Sequence, residues 1–452
     1  MSHATANNAP MSLLCVSGPD HGRRCPIGPA PTTLGRATSC NVLSVDPNMA
    51  NTVLAVVLHE GDIWFHATGG AASLDGRMTN EDILRPGQSL RLGASVWQLA
   101  ADTPRGPETL GAQLVDSLNA GVASAIGVQP ISGFNAREMF SDVLKRRTPE
   151  EVEAYFISGT PATTPTLAQI DTSWPRPWAF VRLAILAVAV YLGFDYAFRQ
   201  FHNIYFLPAI MLMGSFAIPC SLLVFYYEVN APRNVSLYQM LRLFMTGSVL
   251  SLLFASLIYS EVHPVLGTWL GAIGIGLVEE SAKAACLFLV IDLLKYRWTL
   301  NGLLFGATIG TGFAVFESAG YAFNNMFVVA PNHHGLLLNP PTMLTTIDIR
   351  GALALCGSHA VWTGLVGAAL WRIRGARPFE WKMLLDVRFL RVFALAVALH
   401  AAWDSPFPSF YYLKYVALGV VGWMATFGFI QDGLNQIREA QSAAGVRTVA
   451  AA

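Results

Sequence analysis

Between residues 178 and 430 the chain contains eight apolar stretches, each close to the length that a helix needs to cross a membrane. About 20 helical residues span the roughly 30 Å hydrocarbon core of a bilayer. Charged residues make up 13% of the chain, against about 25% in typical soluble proteins. The sequence predicts an integral membrane protein whose all-α domain has about eight transmembrane helices, near 178–198, 204–227, 238–260, 265–291, 302–325, 349–371, 388–404 and 408–430. The fourth stretch carries charge and the seventh is short, so hydropathy supports these two least.

Lysine and arginine are concentrated in alternate loops, with clusters at 145–147 and 372–391. Because cytoplasmic loops carry an excess of these residues, both termini are predicted to be cytoplasmic. The first ten residues show no basic segment followed by an apolar core, so no cleavable signal peptide is expected. We expect a multi-pass protein of the bacterial inner (plasma) membrane, in contact with the lipid bilayer. A formal net charge of zero indicates no nucleic-acid partner.

Residues 11–100 have a different pattern, in which short apolar runs are separated by Gly, Asp, Asn and Pro. Alternating residues, such as Ile63 and Phe65 against Trp64 and His66, are typical of half-buried strands. The segment predicts an all-β sandwich with strands near 12–17, 52–58, 62–66, 89–92 and 95–99.

The remaining segments connect or follow these two domains. Residues 101–177 are predicted to be a linker that contains a short helical hairpin, and residues 431–452 a cytoplasmic tail. The hairpin's second helix is expected after Thr148, because Pro149 and Glu151 complete a capping-box pattern.

Ionisable residues cluster inside the predicted membrane helices, although each costs roughly 2.5–3.5 kcal/mol to insert. The fourth helix carries Glu279, Glu280 and Lys283, which share one face at about 100° per residue. The lysine can neutralise one carboxylate while the other stays ionised or shares a proton. We therefore expect this face to point into the bundle.

The next three helices add further acidic and imidazole groups. The fifth carries Glu317, the sixth His359, and the seventh His400 and Asp404 at i,i+4 spacing. A structural ion-pair network needs matched charges, whereas this set holds four carboxylates, two histidines and one lysine. Such an excess predicts a catalytic or metal site, which should open to the non-cytoplasmic side. The outer segment 326–348 could cover it.

Part of the N-terminal domain resembles forkhead-associated (FHA) domains. The similarity lies in Leu34-Gly35-Arg36, followed by Ser39, Asn41 and Asp46, and in the later segment 84–93. In that family a Gly-Arg loop, a Ser-x-x-His and an Asn-Gly grip phosphothreonine. The resemblance implies a phosphopeptide site at Arg36 and Ser39. The Ser-x-x-His position corresponds to residues 51–54, which contain no histidine, and the Asn-Gly position corresponds to Asp75-Gly76. Because an aspartate repels phosphate, a structural or phospho-independent role with a cytoplasmic protein partner is favoured.

The motifs in the membrane helices resemble the PrsW family of intramembrane proteases. They are Glu279-Glu280-x-x-Lys283, Phe313-x-x-x-Glu317, His359 and His400-x-x-x-Asp404, in the family's order. Ser318 stands where an asparagine is common. The resemblance, over about residues 178–430, implies hydrolysis of a peptide bond in or near the membrane segment of a membrane-anchored protein, as in site-1 cleavage of an anti-sigma factor.

The residues suggest roles for this chemistry. Glu279 or Glu280 would act as general base on a water, and Lys283 would hold the pair's charge. Two possibilities remain open for four further residues. They bind a divalent cation such as zinc, or they position the water and stabilise the oxyanion without a metal. These residues are Glu317, His359, His400 and Asp404.

Two other functions are compatible with parts of the pattern. A non-catalytic membrane receptor or scaffold could use the FHA-like domain to recruit cytoplasmic partners. An ion-coupled transporter could use the buried carboxylates, but it would predict internal repeats with broken helices, and the two halves show no such pairing.

Overall fold

The computed structural model describes residues 11–445 except 21, 38–39, 47, 50–53, 60, 68–71, 102–109, 290–295, 330–335 and 408–411. The chain divides into two compact units, Met1–Val115 with Gln441–Ala452, and Asp116–Ala440.

The N-terminal unit consists of β-strands in two sheets. In chain order the strands are β1 (Met11–Ser17), β2 (Arg24–Ile27), β3 (Thr32–Gly35), β4 (Val42–Leu43), β5 (Leu54–His59), β6 (Asp62–Ala67), β7 (Ala72–Leu74), β8 (Arg77–Thr79), β9 (Glu81–Ile83), β10 (Ser89–Leu92) and β11 (Ser95–Ala101). One sheet has the order β2-β1-β11-β10-β7-β8 and the other β4-β3-β5-β6-β9. Among the described residues, each of the five predicted strands is present.

The two sheets enclose one apolar core. On β6, Ile63 and Phe65 are buried while Trp64 and His66 are exposed, as the period of two requires. Their partners in the core include Trp97 from the other sheet. The predicted all-β sandwich is confirmed.

The buried Asp46 connects loops of the N-terminal unit. Asp46 Oδ2 accepts hydrogen bonds from Ala94 N (2.7 Å) and Ser95 Oγ (2.9 Å). Gly93 has φ +61°, and a Cβ there would lie 2.8 Å from Asp46 Oδ2. Gly93, the last residue of the FHA-like segment 84–93, is therefore required because the backbone here approaches a buried carboxylate closely.

The rest of the chain is mainly helical. Its helices are α1 (Leu110–Ile126), α2 (Ala136–Met139), α3 (Pro149–Phe156), α4 (Ala179–Phe201), α5 (Phe206–Val229), α6 (Leu237–Tyr259), α7 (Trp269–Leu289), α8 (Thr299–Asn325), α9 (Pro340–Ala354), α10 (Ser358–Arg374), α11 (Val387–Asp404) and α12 (Leu413–Ala443). A short hairpin of β12 (Phe327–Val329) and β13 (Leu336–Leu338) lies between α8 and α9.

Helices occupy all eight positions at which membrane helices were predicted, and six helical segments of the described chain are long and apolar enough to span a membrane. These are Ala179–Phe201, Phe206–Val229, Leu237–Tyr259, Thr299–Asn325, Pro340–Arg374 and Leu413–Ala443. The two outside this set are α7 and α11, each of which carries three charged residues. The predicted number of eight is therefore approximate.

Three local predictions need correction. The segment 101–135 was expected to be linker, but α1 lies within it. The first helix of the predicted hairpin is only the four residues of α2, whereas the capping box of α3 is present as predicted. The outer segment 326–348 contains the β12–β13 hairpin and the start of α9. Its two adjacent histidines, His333 and His334, lie outside the described residues.

A stripe of glycines brings α8 and α10 together. A Cβ at Gly306 would lie 2.1 Å from Thr363 O, and one at Gly310 would lie 2.1 Å from His359 O. Such contacts are possible only because glycine has no side chain, and small residues at four-residue spacing allow helices in membranes to pack closely. This packing places Glu317, two turns beyond Gly310, beside the N-terminal end of α10.

Candidate active site

The acidic pair and the lysine of α7 are buried together. Glu279 is 6% exposed, and Glu280 and Lys283 are 0% exposed. Lys283 Nζ lies 2.7 Å from Glu280 Oε1 and 3.7 Å from Glu279 Oε2. The lysine therefore pairs mainly with Glu280.

Glu280 is held on both of its oxygens. His400 Nδ1 lies 3.0 Å from Oε1, and Thr363 Oγ1 donates to Oε2 at 3.3 Å. With Lys283 as a third partner, both oxygens of the Glu280 carboxylate have hydrogen-bond donors. It joins α7, α10 and α11.

Glu279 is satisfied on one side only. Tyr259 OH donates to Oε1 at 3.1 Å. Oε2 is buried, and among the described residues it has no hydrogen-bond partner. His400 Nε2 lies 3.6 Å away, beyond hydrogen-bonding distance. A buried carboxylate oxygen without a donor is costly, which marks it as an oxygen available to a bound molecule.

Glu317 and His359 form the second part of the cluster. His359 Nε2 lies 3.0 Å from Glu317 Oε2, and its Nδ1 lies 2.8 Å from Lys283 Nζ. Since an ammonium can only donate, Nδ1 accepts and the imidazole proton sits on Nε2, where it donates to Glu317. Arg350 from α9 also binds Glu317, with Nη2 2.5 Å from Oε2.

The end of α11 completes the cluster. His400 Nε2 lies 3.3 Å from Asp404 Oδ2, one helical turn away. The ring of Trp362 stacks on His400 with centroids 4.6 Å apart and meets His359 edge-on at 5.1 Å. One tryptophan thus fixes the planes of both imidazoles.

A cavity of about 160 Å³ lies beside this cluster. Five of the seven predicted site residues line it, namely Glu279, Glu317, His359, His400 and Asp404. Glu280 and Lys283 do not line the cavity and lie behind Glu279. The structure thus separates residues that can touch a bound molecule from residues that hold them in place.

Three side chains of the cluster carry donor atoms of the kind that bind a metal ion. Glu279, His359 and His400 each offer an atom within 4.8 Å of the other two, and the described residues contain no other such group. Two imidazoles and a carboxylate are a usual set for catalytic zinc. Glu317 and Asp404, which were predicted as ligands with the two histidines, do not belong to this group.

The two histidines differ in the group that their Nδ1 atom contacts. A metal-binding histidine normally donates its other N–H to an oxygen. His400 Nδ1 faces Glu280 in this way, but His359 Nδ1 faces the Lys283 ammonium. Lys283 also lies 3.7 Å from Glu279 Oε2, so it places a positive charge beside one of the oxygens that would bind the metal ion. The donor set has suitable spacing, but these contacts do not fit a metal ion.

Sequence reasoning missed several residues of the site. Arg350 lies at the edge of the predicted helix 349–371 and was not selected as a site residue, yet it supplies a second fixed positive charge beside Glu317. Tyr259, Trp362 and Thr363 were not singled out. Thr363 lies one turn after His359, and this spacing was a usable signal. The positions of Arg350 and Tyr259 depend on packing between helices.

The predicted phosphopeptide site is only partly described. Arg36 is exposed just after β3, and Ser39 lies outside the described residues. Asp75 and Gly76 form the two-residue turn between β7 and β8, with φ +47° and +86°. Asp75 Oδ1 accepts a hydrogen bond from Ser89 N at 2.8 Å. The aspartate therefore has a structural contact of its own.

Comparison with known proteins bears on both units. A family model described as "PrsW family intramembrane metalloprotease" matches residues 236–430. Among solved structures the chain is similar to an FHA domain from Chlamydia trachomatis, at 12% identity over 20% of this chain and 96% of that one, with a TM-score of 0.19. It is also similar to the FHA domain of an Arabidopsis thaliana hypothetical protein, at 14% identity over 24% and 98%, with a TM-score of 0.21.

No curated protein matches this chain. The family match includes all seven predicted site residues and begins after α5, whereas the resemblance was expected from residue 178. The chain is an integral, multi-pass membrane protein with an N-terminal β-sheet region that resembles FHA domains. Its residues 236–430 are an intramembrane peptidase domain of the PrsW family.

Proposed function

We propose that the chain hydrolyses a peptide bond in or next to the membrane segment of a membrane-anchored protein, and that Glu279 is the residue that activates the water. One observation carries this proposal. Glu279 Oε2 is a buried carboxylate oxygen without a hydrogen-bond partner among the described residues, and its side chain lines a polar cavity. The other carboxylate of the pair, Glu280, is held by Lys283, His400 and Thr363.

The reaction follows from these contacts. A water in the cavity donates a hydrogen bond to Glu279 Oε2, and the carboxylate takes its proton as the oxygen attacks the carbonyl carbon. His400 Nε2 lies close to the same oxygen. Because Nδ1–H faces Glu280, the ring acts here as the imidazolium, whose Nε2–H is placed to donate to the carbonyl oxygen as negative charge develops. Glu279 then gives the proton to the leaving nitrogen as the C–N bond breaks.

The other residues of the site act through these two. Lys283 keeps Glu280 ionised, and Glu280 orients the His400 ring through Nδ1. Arg350 and His359 hold Glu317, which lines the cavity opposite α7. Because the contacts of His359 do not fit a metal ion, the proposed mechanism is of the glutamate type and uses no metal.

The cavity opens at one end of the bundle. Leu266 and Gly267, in the α6–α7 connection, line it together with the ends of α8 and α11. The positive-inside pattern assigns this end to the non-cytoplasmic side. The termini would then be cytoplasmic, where the FHA-like region could bind a protein partner. A bacterial inner membrane and site-1-type regulated cleavage are part of the proposal.

The test is co-expression with tagged single-span membrane proteins. We expect wild-type protein to produce a shortened fragment from at least one of them and Glu279→Gln to produce none. Glu228→Gln is the matched control, because Glu228 is another buried glutamate but caps α4 through Trp178 N, Ala179 N and Phe180 N. Equal processing by wild type and Glu279→Gln would contradict the proposal and favour a non-catalytic receptor or scaffold.

A further inference from the structure

A second cavity, of about 360 Å³, adjoins the one that contains Glu279. We propose that this second cavity is a substrate subsite, which receives an uncharged side chain next to the bond that is hydrolysed. The inference depends on the proposed protease function and adds the class of residue that the site selects.

The cavity is built by a break in a membrane helix. Leu353 and Ala354 lie before the break, Ser358 and His359 lie after it, and all four line the cavity. Non-helical backbone at membrane depth is tolerated where it lines a cavity or is buried in protein. The break thus makes room between α9 and α10.

The break is held in place by specific contacts. Gly357 has φ +98°, a conformation that favours glycine, and a Cβ there would lie 2.3 Å from Val361 Cγ2. Trp423 Nε1 donates to Leu355 O at 3.1 Å and satisfies one of the carbonyls that the break releases. The cavity is therefore a built feature of the fold.

The two cavities share one wall. Arg350, His359, Trp403 and Asp404 line both of them. A peptide whose carbonyl lies beside Glu279 in the first cavity would extend along this wall. The neighbouring side chain would then extend into the second cavity.

The chemistry of the second cavity selects the occupant. Its groups that carry charge near neutral pH, Arg350, His359 and Asp404, all lie on the shared wall. Away from that wall the lining is uncharged, and a charged side chain there would lack a partner. This part of the lining consists of Pro219, Ala314, Ser318, Ile349, Leu353, Ala354, Ser358, Ser405 and Tyr415.

The experiment uses full-length protein in lipid vesicles with a single-span substrate. The residues on the two sides of the cleaved bond are varied in turn through Ala, Leu, Phe and Asp. For wild type, we expect Leu or Phe to be cleaved at least tenfold faster than Asp at one of the two positions. A single methylene in an apolar pocket changes specificity by about 10- to 200-fold.

Ala354→Leu partly fills the cavity, because it adds an isopropyl group to a buried lining residue. At the selective position we expect it to lower the Leu-to-Ala rate ratio at least tenfold. Ala352→Leu is the matched control, since Ala352 is exposed on the same helix. Leu353→Ala, which enlarges the cavity, should raise the Phe-to-Leu ratio and keeps the test decisive if Ala354→Leu does not fold.

The outcomes separate the two proposals. If Glu279-dependent cleavage occurs but neither cavity variant changes the ratios, the second cavity is not a subsite. A preference for Asp at both positions in wild type would overturn it as well. If wild type does not cleave, or Glu279→Gln cleaves equally, the protease proposal itself has failed, and the subsite fails with it.

Discussion

Both units of the molecule bury carboxylates, but they satisfy them in different ways. In the β-sheet unit, Asp20 and Asp46 accept mainly from backbone N–H groups and serine hydroxyls, such as Val45 N, Ala94 N and Ser95 Oγ. In the helical unit, Glu280 and Glu317 are paired with Lys283, Arg350 and two histidines.

The difference distinguishes carboxylates that only hold the fold together from carboxylates that can take part in a reaction. Neutral donors fixed by the backbone can hold a carboxylate in one geometry, but they cannot exchange protons with it near neutral pH. Imidazole partners can, and among the described residues one carboxylate of this cluster, Glu279, has an oxygen without a donor. A buried acid is therefore a candidate catalyst when its partners are titratable and its hydrogen bonds are incomplete.

The largest expected effect breaks the charge pairing of the helical unit. Glu280→Gln would leave Lys283 as a fully buried charge without its main partner, which costs about 3–5 kcal/mol. We expect unfolding in detergent at clearly lower denaturant concentration than for wild type. The double variant Glu280→Gln/Lys283→Met should recover most of the loss. A single variant as stable as wild type would contradict the structural role of Glu280.

Next in size is the loss of the donor nearest to Glu279. His400→Ala should reduce the cleavage rate of a single-span substrate by about 100- to 1,000-fold, the usual cost of removing an oxyanion donor. His263→Ala is the control, because that histidine is exposed in the α6–α7 connection. Cleavage within a few-fold of wild type in His400→Ala would remove this residue from the reaction.

The corresponding change in the β-sheet unit should affect stability alone. Asp46→Ala leaves Ala94 N, Asn48 N and Ser95 Oγ without their shared acceptor. We expect local destabilisation of about 1–3 kcal/mol, measured by hydrogen exchange in the strands of the full-length protein. Asp62→Ala, at an exposed position, serves as control. Loss of cleavage in Asp46→Ala would show that the contrast between the two units is wrong.

The smallest expected effect is that of metal removal. Since Lys283 lies against His359 Nδ1 and near Glu279, we expect purified protein to cleave its substrate equally with and without a strong chelator. Elemental analysis should find less than one zinc per chain. Stoichiometric zinc that is absent from both His359→Ala and His400→Ala would instead assign these histidines as ligands.

Much of the fold was predictable because its signals are local. Period-two alternation identified strands such as β6, and long apolar stretches identified the positions of the helices, including α7 and α11, which lie outside the six candidate membrane spans. The break at 355–357 was not predictable from hydropathy, since Leu355 and Cys356 are as apolar as their neighbours. It depends on the backbone of Gly357 and on the contact with Trp423.

The site was predictable as a set but not in its assignments. Helical spacing places both Glu279 and Glu280 within reach of Lys283, so the sequence cannot say which one is neutralised. The choice depends on α10 and α11, which bring Thr363 and His400 to Glu280. The second fixed cation, Arg350, comes from a helix that the sequence analysis took as loop and helix edge.

The central claim is that Glu279 activates the water while Glu280 maintains the site. The most direct test is to place purified full-length protein with a single-span substrate in lipid vesicles and to map the product termini by mass spectrometry. We predict one new terminus in or beside the membrane segment for wild type, and none for Glu279→Gln at unchanged thermal stability. The same terminus at a similar rate in Glu279→Gln would contradict the claim.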